Sequence, residues 1–285
     1  MRSYADCIHC FIKQGVTCMR LAGVDENLQY QVIFELMDYI KTFDLKASPA
    51  ENASKVLQKA YGMIGNNDPY CTEKKQCNDL AMAIYPRLKA IVDTSDDRLY
   101  AALKISVTGN IIDLGIQRSF DIEKQLKKSM EFGFSKDQYS RFLEKLDKAD
   151  KILFLGDNAG EVVFDKVLVE ELIKLGKSVV YVVKSSPILN DSTMEDAVYT
   201  GMDKIAEVIT NGSGYMGSCL NDVSTEFIEL LKGSEIVIAK GHANFESLEE
   251  SDLARDRIFF LLKAKCDAVA EAIGIKLGDI ALFTR

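Results

Sequence analysis

Tryptophan is absent from this chain, proline occurs only four times and histidine only twice, as His9 and His242. So few histidines argue against a His-rich zinc site, and a Ser-His-Asp triad would have to use one of the two. No apolar run approaches the roughly 20 residues that a membrane-spanning helix needs. The net charge of −8 is spread without long like-charge blocks, which argues against a dedicated nucleic-acid or membrane-surface binder.

The first residues, MRSYADCIHCF, contain an acid and a histidine where a signal peptide needs an uninterrupted apolar core, so we expect a cytoplasmic protein. Seven cysteines, an odd number in a chain of 285 residues, do not suggest a disulfide framework. Cys7 and Cys10 form a CxxC pair, for which buried structural thiols are the favoured interpretation. A zinc site would need Cys71 and Cys77 to lie nearby, and no βαβ pattern surrounds Cys7 to support redox chemistry.

The two halves of the chain differ in the period of their apolar residues. Spacings of three and four predict helices in the first half, at residues 28–43, 50–64, 74–92 and 99–109. The second half alternates short apolar runs with helical patterns: strands at 152–155, 178–183, 208–209, 236–239 and 280–283, and helices at 161–175, 194–201, 219–232 and 266–274. We therefore predict an α/β protein: an all-α portion (1–150) packed against a Rossmann-like domain (151–285), whose mostly parallel sheet has helices on both faces.

Polar side chains follow the first predicted strand at once, as Asp157, Asn158 and Glu161. In open α/β sheets, ligands bind beyond the carboxyl ends of the strands. Carboxylate and amide oxygens suit Mg²⁺ or Mn²⁺, which usually accompany phosphate. A helix cap would explain only one of these residues. Asp191, after the next strand, could complete a metal site begun by Asp157, whereas Asp165 is expected to be structural.

Three further strand ends carry groups suited to phosphate. Lys184 and Lys240 each follow a strand directly, and either ammonium suits a phosphate oxygen. The loop at 211–217 contains three glycines, which let backbone N–H groups approach an anion closely. The candidate substrate-binding residues are Lys184, Ser213, Gly214, Lys240, Gly241 and Asn244, together with Asn110 of the helical half, and Glu246 is a further polar group. In the helical half, Asn110 and Asp113 share one helix face, either as an ordinary helix end or as a lid over the metal site.

Taken together, these motifs resemble the metal-dependent damage-control phosphatases, and the resemblance runs over essentially the whole chain. It rests on the CxxC pair, Asp68-Pro69-Tyr70, Gly109-Asn110-x-x-Asp113, Gly156-Asp157-Asn158-x-Gly160-Glu161, Asn190-Asp191 and Lys240-Gly241-x-x-Asn244-Phe245-Glu246. The CxxC is similar to that of the archaeal and microbial branch. One departure is Cys71, where relatives commonly have a lysine after Asp-Pro-Tyr.

The resemblance implies that Asp157, Asn158 and Asp191 bind a divalent metal ion (Mn²⁺, Co²⁺, Ni²⁺ or Mg²⁺) and that Lys240 contacts substrate phosphate. It also implies a small phosphorylated metabolite as the substrate. Hydrolysis by metal-activated water is the favoured mechanism, with the base left open among Glu161, Asp113 and Glu246. An aspartyl-phosphate at Asp157 is the competing mechanism.

Two other functions stay open on the sequence alone. One is an S-adenosylmethionine-dependent methyltransferase, and the other is a non-catalytic protein that binds metal or a phosphometabolite. The oligomeric state is open as well.

Overall fold

The computed structural model describes residues 1–109 and 130–285 of the chain. Five helices come first: α1 (Ala5–Leu21), α2 (Glu26–Ile40), α3 (Pro49–Ile64), α4 (Cys71–Asp93) and α5 (Arg98–Thr108). The alternating part is β1 (Lys136–Asp137), α6 (Tyr139–Lys148), β2 (Lys151–Leu155), α7 (Glu161–Lys174), β3 (Ser178–Val183), α8 (Met194–Thr200), β4 (Glu207–Thr210), α9 (Thr225–Gly233), β5 (Ile236–Lys240), α10 (Gly241–Leu248), β6 (Ile258–Lys263), α11 (Asp267–Ile273) and β7 (Ile280–Phe283).

The strands form one seven-stranded sheet in the order β1-β7-β6-β5-β2-β3-β4. Every neighbouring pair is parallel except β6 and β7, which are antiparallel. From β2 the chain moves outward to β3 and β4, then returns to place β5 on the other side of β2. The strand order therefore reverses between β2 and β5, and such a switch point leaves a crevice at the carboxyl ends of the strands.

Helices cover both faces of the sheet, which confirms the predicted fold class. Helices α4, α5 and α7 pack on one face around Phe164 and Tyr181. Helices α9, α10 and α11 pack on the other face around Phe245 and Phe260. A third apolar cluster joins α1, α2 and α3. The central strands are buried on both faces, which is why they are continuous apolar runs in the sequence.

Two strands were not predicted from the sequence. The apolar run of β6 is too short for its periodicity to distinguish a strand from a helix. Strand β1 has only two residues, yet it pairs with β7, so the segment before residue 150 adds to the sheet. The helix predicted at 219–232 begins later, at Thr225, because the Ser224 hydroxyl accepts from Phe227 N–H and caps it there. None of the described helices is long and apolar enough to cross a membrane.

An ion pair joins the helical layer to the helix after β2. Arg98 at the start of α5 binds Glu171 of α7 through two hydrogen bonds, both 2.9 Å, from Nε and Nη2. The Arg98 hydrogen bonds, assisted by Lys174, lower the pKa of Glu171 from 4.5 to about 2. Glu171 thus stabilises the fold fully above pH 4.5, and the contribution is lost as the pH falls towards 2.

We predict that Glu171→Gln lowers the free energy of unfolding at pH 7 by about 1–2 kcal/mol, less than the full pKa shift because Arg98 is open to solvent. Urea unfolding at several pH values measures this, and the deficit should shrink below pH 4.5. Glu229→Gln, which breaks only an exposed pair with Lys232, should change little. An equal loss for both variants, or a deficit independent of pH, would contradict this account.

Candidate active site

The loops that follow β2 and β3 are joined to each other by backbone hydrogen bonds. Asn158 and Asp191 form an isolated antiparallel bridge. Ser192 N–H donates to the Asp157 carbonyl at 2.9 Å, and Ala159 N–H donates to the Asn190 carbonyl at 2.8 Å. The structure thus brings together the three residues expected to bind metal, Asp157, Asn158 and Asp191, and all three are buried.

Carboxylates accumulate at this point. Burial raises the pKa of Asp157 well above its usual range, and the charges of Glu161 and Asp191 raise it further. Lys265 and Lys240 act in the opposite direction without cancelling that rise. Glu161 is held beside the pair because its Oε1 accepts from Asn158 Nδ2 at 2.9 Å. The cluster therefore carries more negative charge than its immediate surroundings neutralise.

Lys240 does not offer its ammonium group to a substrate in this structure, contrary to the expected phosphate contact. Nζ donates to Asp165 Oδ1 at 2.7 Å, to the Ser106 carbonyl at 3.0 Å and to Glu161 Oε2 at 3.1 Å, which uses its three hydrogens. Burial opposes the charge, but Asp165 and Glu161 together raise the pKa of Lys240 above its usual range. The lysine holds Glu161 in position.

Asp165 is more than the structural residue expected from its place in the sequence. It is fully buried, and its carboxylate accepts hydrogen bonds from Ser106 Oγ at 2.6 Å and Tyr181 OH at 2.8 Å in addition to Lys240. Burial raises its pKa, and Lys240 acts against that rise. Asp165 therefore anchors the ammonium that orients Glu161.

Gly241 allows the Asp157 carboxylate to lie against the start of α10. Its φ is +76°, a conformation that other residues adopt only with strain. A Cβ atom at this position would lie 1.9 Å from Asp157 Oδ2. The glycine predicted to bind phosphate thus has a steric role towards the metal-site carboxylate.

A small cavity opens above these groups, with a volume of about 10 Å³, room for about one water molecule. Asp157, Glu161, Gly241, His242 and Lys265 line it. Lys265 was missed from the sequence because β6 was missed; it lies three residues after the last apolar residue of that strand, Leu262. Burial lowers the pKa of His242 to about 4, and its Nε2 accepts from the Lys265 N–H at 2.9 Å. The histidine thus holds the Lys265 segment at the cavity wall.

Two other predicted substrate contacts are engaged within the protein. Lys184 is buried, donates to the Gly217 carbonyl and lies 3.7 Å from Asp191 Oδ2, so it faces the metal-site loop. Asn244 donates to the carbonyls of Gly156 and Lys240 at 3.2 and 2.9 Å and accepts from Ser218 Oγ. It ties the ends of β2 and β5 together.

In the loop at 211–217, three of the N–H groups that could face an anion bind within the protein. The N–H of Ser213 donates to Asn211 Oδ1, that of Tyr215 to Ser213 Oγ, and that of Met216 to Ser54 Oγ. A Cβ atom at Gly214 would lie 2.2 Å from Ser186 Oγ, so a side chain here would require the Ser186 hydroxyl to move. These amides stabilise the loop and its contact with α3.

Glu246 lies apart from the cavity, on the side of α10 near the chain start. Burial raises its pKa to about 7, while the terminal ammonium and the Ala50 N–H act in the opposite direction.

The cysteine that lies near Cys7 and Cys10 is Cys266, and not Cys71 or Cys77. Burial raises the pKa of Cys7, and the charges of Glu246, Cys10 and Cys266 add to the rise. Cys77 packs under Gly160 instead. Asn110 and Asp113 lie outside the described residues.

A family model described as the damage-control phosphatase ARMT1-like domain matches residues 3–281. The chain belongs to this family. A damage-control phosphatase of Archaeoglobus fulgidus is 32% identical over 96% of each chain. An uncharacterised Methanocaldococcus jannaschii protein is 37% identical over 98% of this chain and 94% of its own. The crystal structure of a DUF89-family protein from Pyrococcus horikoshii superimposes with a TM-score of 0.92 at 30% identity, covering 100% and 99% of the two chains.

The donor set of this family member suits a hard divalent cation. Within residues 1–109 and 130–285, no three carboxylate, thiol or imidazole side chains are arranged to enclose a metal ion. An ion here would therefore be held by the carboxylates of Asp157 and Asp191, the amide of Asn158, and water. Oxygen donors of this kind favour Mg²⁺ or Mn²⁺ over softer metals. The geometry supports the fit, because the buried carboxylates of Asp157 and Asp191 lie on two loops joined by a backbone bridge, and a cation between them would relieve the repulsion of like charges.

We predict that Gly241→Ala lowers phosphatase activity by about 100-fold or more, since it displaces Asp157, while the fold is retained. Gly274→Ala is the matched control, because Gly274 has a similar φ of +80° but no atom within 4 Å of the place that a Cβ would occupy. Both variants should lose about 1 kcal/mol of stability from backbone strain, measured by thermal unfolding. Equal activities in the two variants would contradict the steric role of Gly241.

Proposed function

We propose that the chain hydrolyses phosphate monoesters of small metabolites, either sugar phosphates or damaged phosphometabolites, with a divalent metal ion at Asp157, Asn158 and Asp191. The observation that carries the proposal is a charge imbalance. Four buried carboxylates, Asp157, Glu161, Asp165 and Asp191, surround the switch point, whereas the buried lysines among the described residues there are Lys184 and Lys240. With all four carboxylates ionised, the buried groups have an excess of two negative charges (four minus two), before the exposed Lys265 at the cavity wall is counted, and a divalent cation would offset that excess.

Residues of the chain take the other roles in hydrolysis, namely proton removal from water and contact with the phosphate. A bound divalent ion would supply Lewis-acid stabilisation of the phosphoryl group. Glu161, fixed between Asn158 Nδ2 and Lys240 Nζ, is the base that takes the proton of the attacking water. Glu246 is set aside because it lies away from the cavity. We assign the contact with substrate phosphate, expected of Lys240 from the sequence, to Lys265 instead, because Lys265 lines the cavity.

The methyltransferase alternative has weaker support. A negatively charged cluster with raised carboxylate pKa values does not require a methyl donor, and the family is that of phosphatases. The binding-only alternative uses the same pocket, so only turnover distinguishes it from the proposed hydrolase.

We predict that Asp157→Asn lowers metal-dependent hydrolysis by more than about 100-fold, as expected when a group that stabilises the transition state is lost. p-Nitrophenyl phosphate and a panel of sugar phosphates, each assayed with Mn²⁺, Co²⁺, Ni²⁺, Mg²⁺ or EDTA, measure this. Because the variant removes a repelled buried charge, its Tm in EDTA should rise by about 2–4 °C. Asp252→Asn, an exposed control, should alter neither quantity. Full activity of Asp157→Asn, or wild-type activity in EDTA, would exclude the proposed site.

Lys265 and Lys240 should respond differently to substitution. We predict that Lys265→Gln raises KM about 10- to 100-fold, the value of one hydrogen bond to a charged group. Lys240→Gln should instead lower stability by about 3–5 kcal/mol, since it leaves buried carboxylates unpaired. Steady-state kinetics and thermal unfolding measure both, and an unchanged KM in Lys265→Gln contradicts the phosphate contact.

A further inference from the structure

Helix α2 presents a row of large apolar side chains to solvent. Tyr30, Phe34 and Met37 are 54%, 62% and 45% exposed. They recur at spacings of four and three residues, which places them along one side of the helix. The opposite side packs into the helical layer through Val32, Leu36 and Ile40. A contiguous exposed apolar row of this kind marks an interaction surface.

The row ends at an open apolar groove of about 340 Å³. Ile8 and Ile12 of α1, Met37 of α2, and Phe43 and Leu45 of the following turn line it. Ile8 and Leu45 are themselves exposed, so groove and row form one patch. The patch thus carries both a protruding ring, that of Tyr30, and an apolar groove beside Met37.

The Tyr30 ring and the groove beside Met37 are placed so that two copies of the chain can pair about a two-fold axis. Tyr30 and Met37 are seven residues apart, about 10 Å along the helix. A two-fold axis perpendicular to α2, passing between residues 33 and 34, exchanges them. Tyr30 of each copy then faces the groove beside Met37 of the other copy, and the two Phe34 rings meet near the axis. Such a self-complementary patch is the requirement for a closed dimer.

The charges of α2 select this register. It places Glu26 of one copy opposite Lys41 of the other, and Asp38 opposite Gln29, so no two acids of α2 face each other. Moving the axis to Val32 would also overlay the apolar rows, but it would set Glu26 opposite Asp38. Lys41 pairs with Asp38 within its own helix, but both side chains are about three-quarters exposed, so that pair holds it weakly.

We infer that a second copy of this chain covers the patch, with the two α2 helices antiparallel in this register. The first test is the mass of the full chain in solution, by sedimentation velocity over a wide range of concentrations. The wild type should be dimeric and Phe34→Lys a folded monomer, with phosphatase activity retained. The matched control is Leu277→Lys, an exposed leucine outside the patch, which should stay dimeric. A monomeric wild type, or a dimer that Phe34→Lys leaves intact, overturns the inference.

Charge reversal tests the register separately from the patch. Glu26→Lys and Lys41→Glu should each weaken the dimer about tenfold, because like charges then face each other twice across the axis. The double variant restores opposite charges and should return the dissociation constant to near the wild-type value. A double variant no tighter than the single ones overturns the antiparallel register.

Discussion

The arrangement of the carboxylates at the site depends on one buried ammonium group, Lys240 Nζ. It lies at the end of β5 and joins Asp165 and Glu161, which both lie on α7, to the Ser106 carbonyl of α5. Without it, two buried carboxylates would face each other beside Asp157 with no cation between them, at a cost of several kcal/mol. The sheet, the helix after β2 and the helical layer therefore meet at this charge-assisted contact. Ser106 shares Oδ1 of Asp165 with Lys240, and Tyr181 binds Oδ2.

The helical layer also fixes the loops that carry the carboxylates. Asn78 of α4 accepts from Gly160 N–H at 2.7 Å and donates to Asp196 at 2.8 Å, which ties the loop after β2 to α8. Tyr61 of α3 accepts from the N–H of Leu189, whose φ of +45° is strained for a leucine. That strain lies two residues before Asp191, where the backbone turns into the site. The site is therefore a product of both parts of the chain.

The residues that meet at the proposed metal site were identifiable in the sequence because their position depends only on local pattern: a strand, then polar groups, at neighbouring strand ends. The boundaries of β3 and β7 were predicted correctly for the same reason. What each group binds was not predictable, since that depends on contacts between distant segments. In the sequence, Lys240 and Asn244 occupy positions typical of substrate ligands. In the structure, they form hydrogen bonds with residues up to 134 positions away along the chain. Lys265 was not predicted because strand β6 was not predicted, since the periodicity of its five apolar residues does not distinguish a strand from a helix.

The excess of negative charge at the switch point bears on the order in which a cation and a phosphate would bind. A phosphate monoester carries a charge of about −1.5 to −2 near neutral pH. With their four carboxylates ionised, the described buried groups at the switch point sum to −2, so they would repel such a ligand, and burial would strengthen that repulsion. Lys265 alone does not reverse the sign. Under the proposed function, a cation would therefore bind before the phosphate, and the repulsion among the carboxylates would favour its binding. Carboxylates that only stabilised the fold would not leave this charge unbalanced.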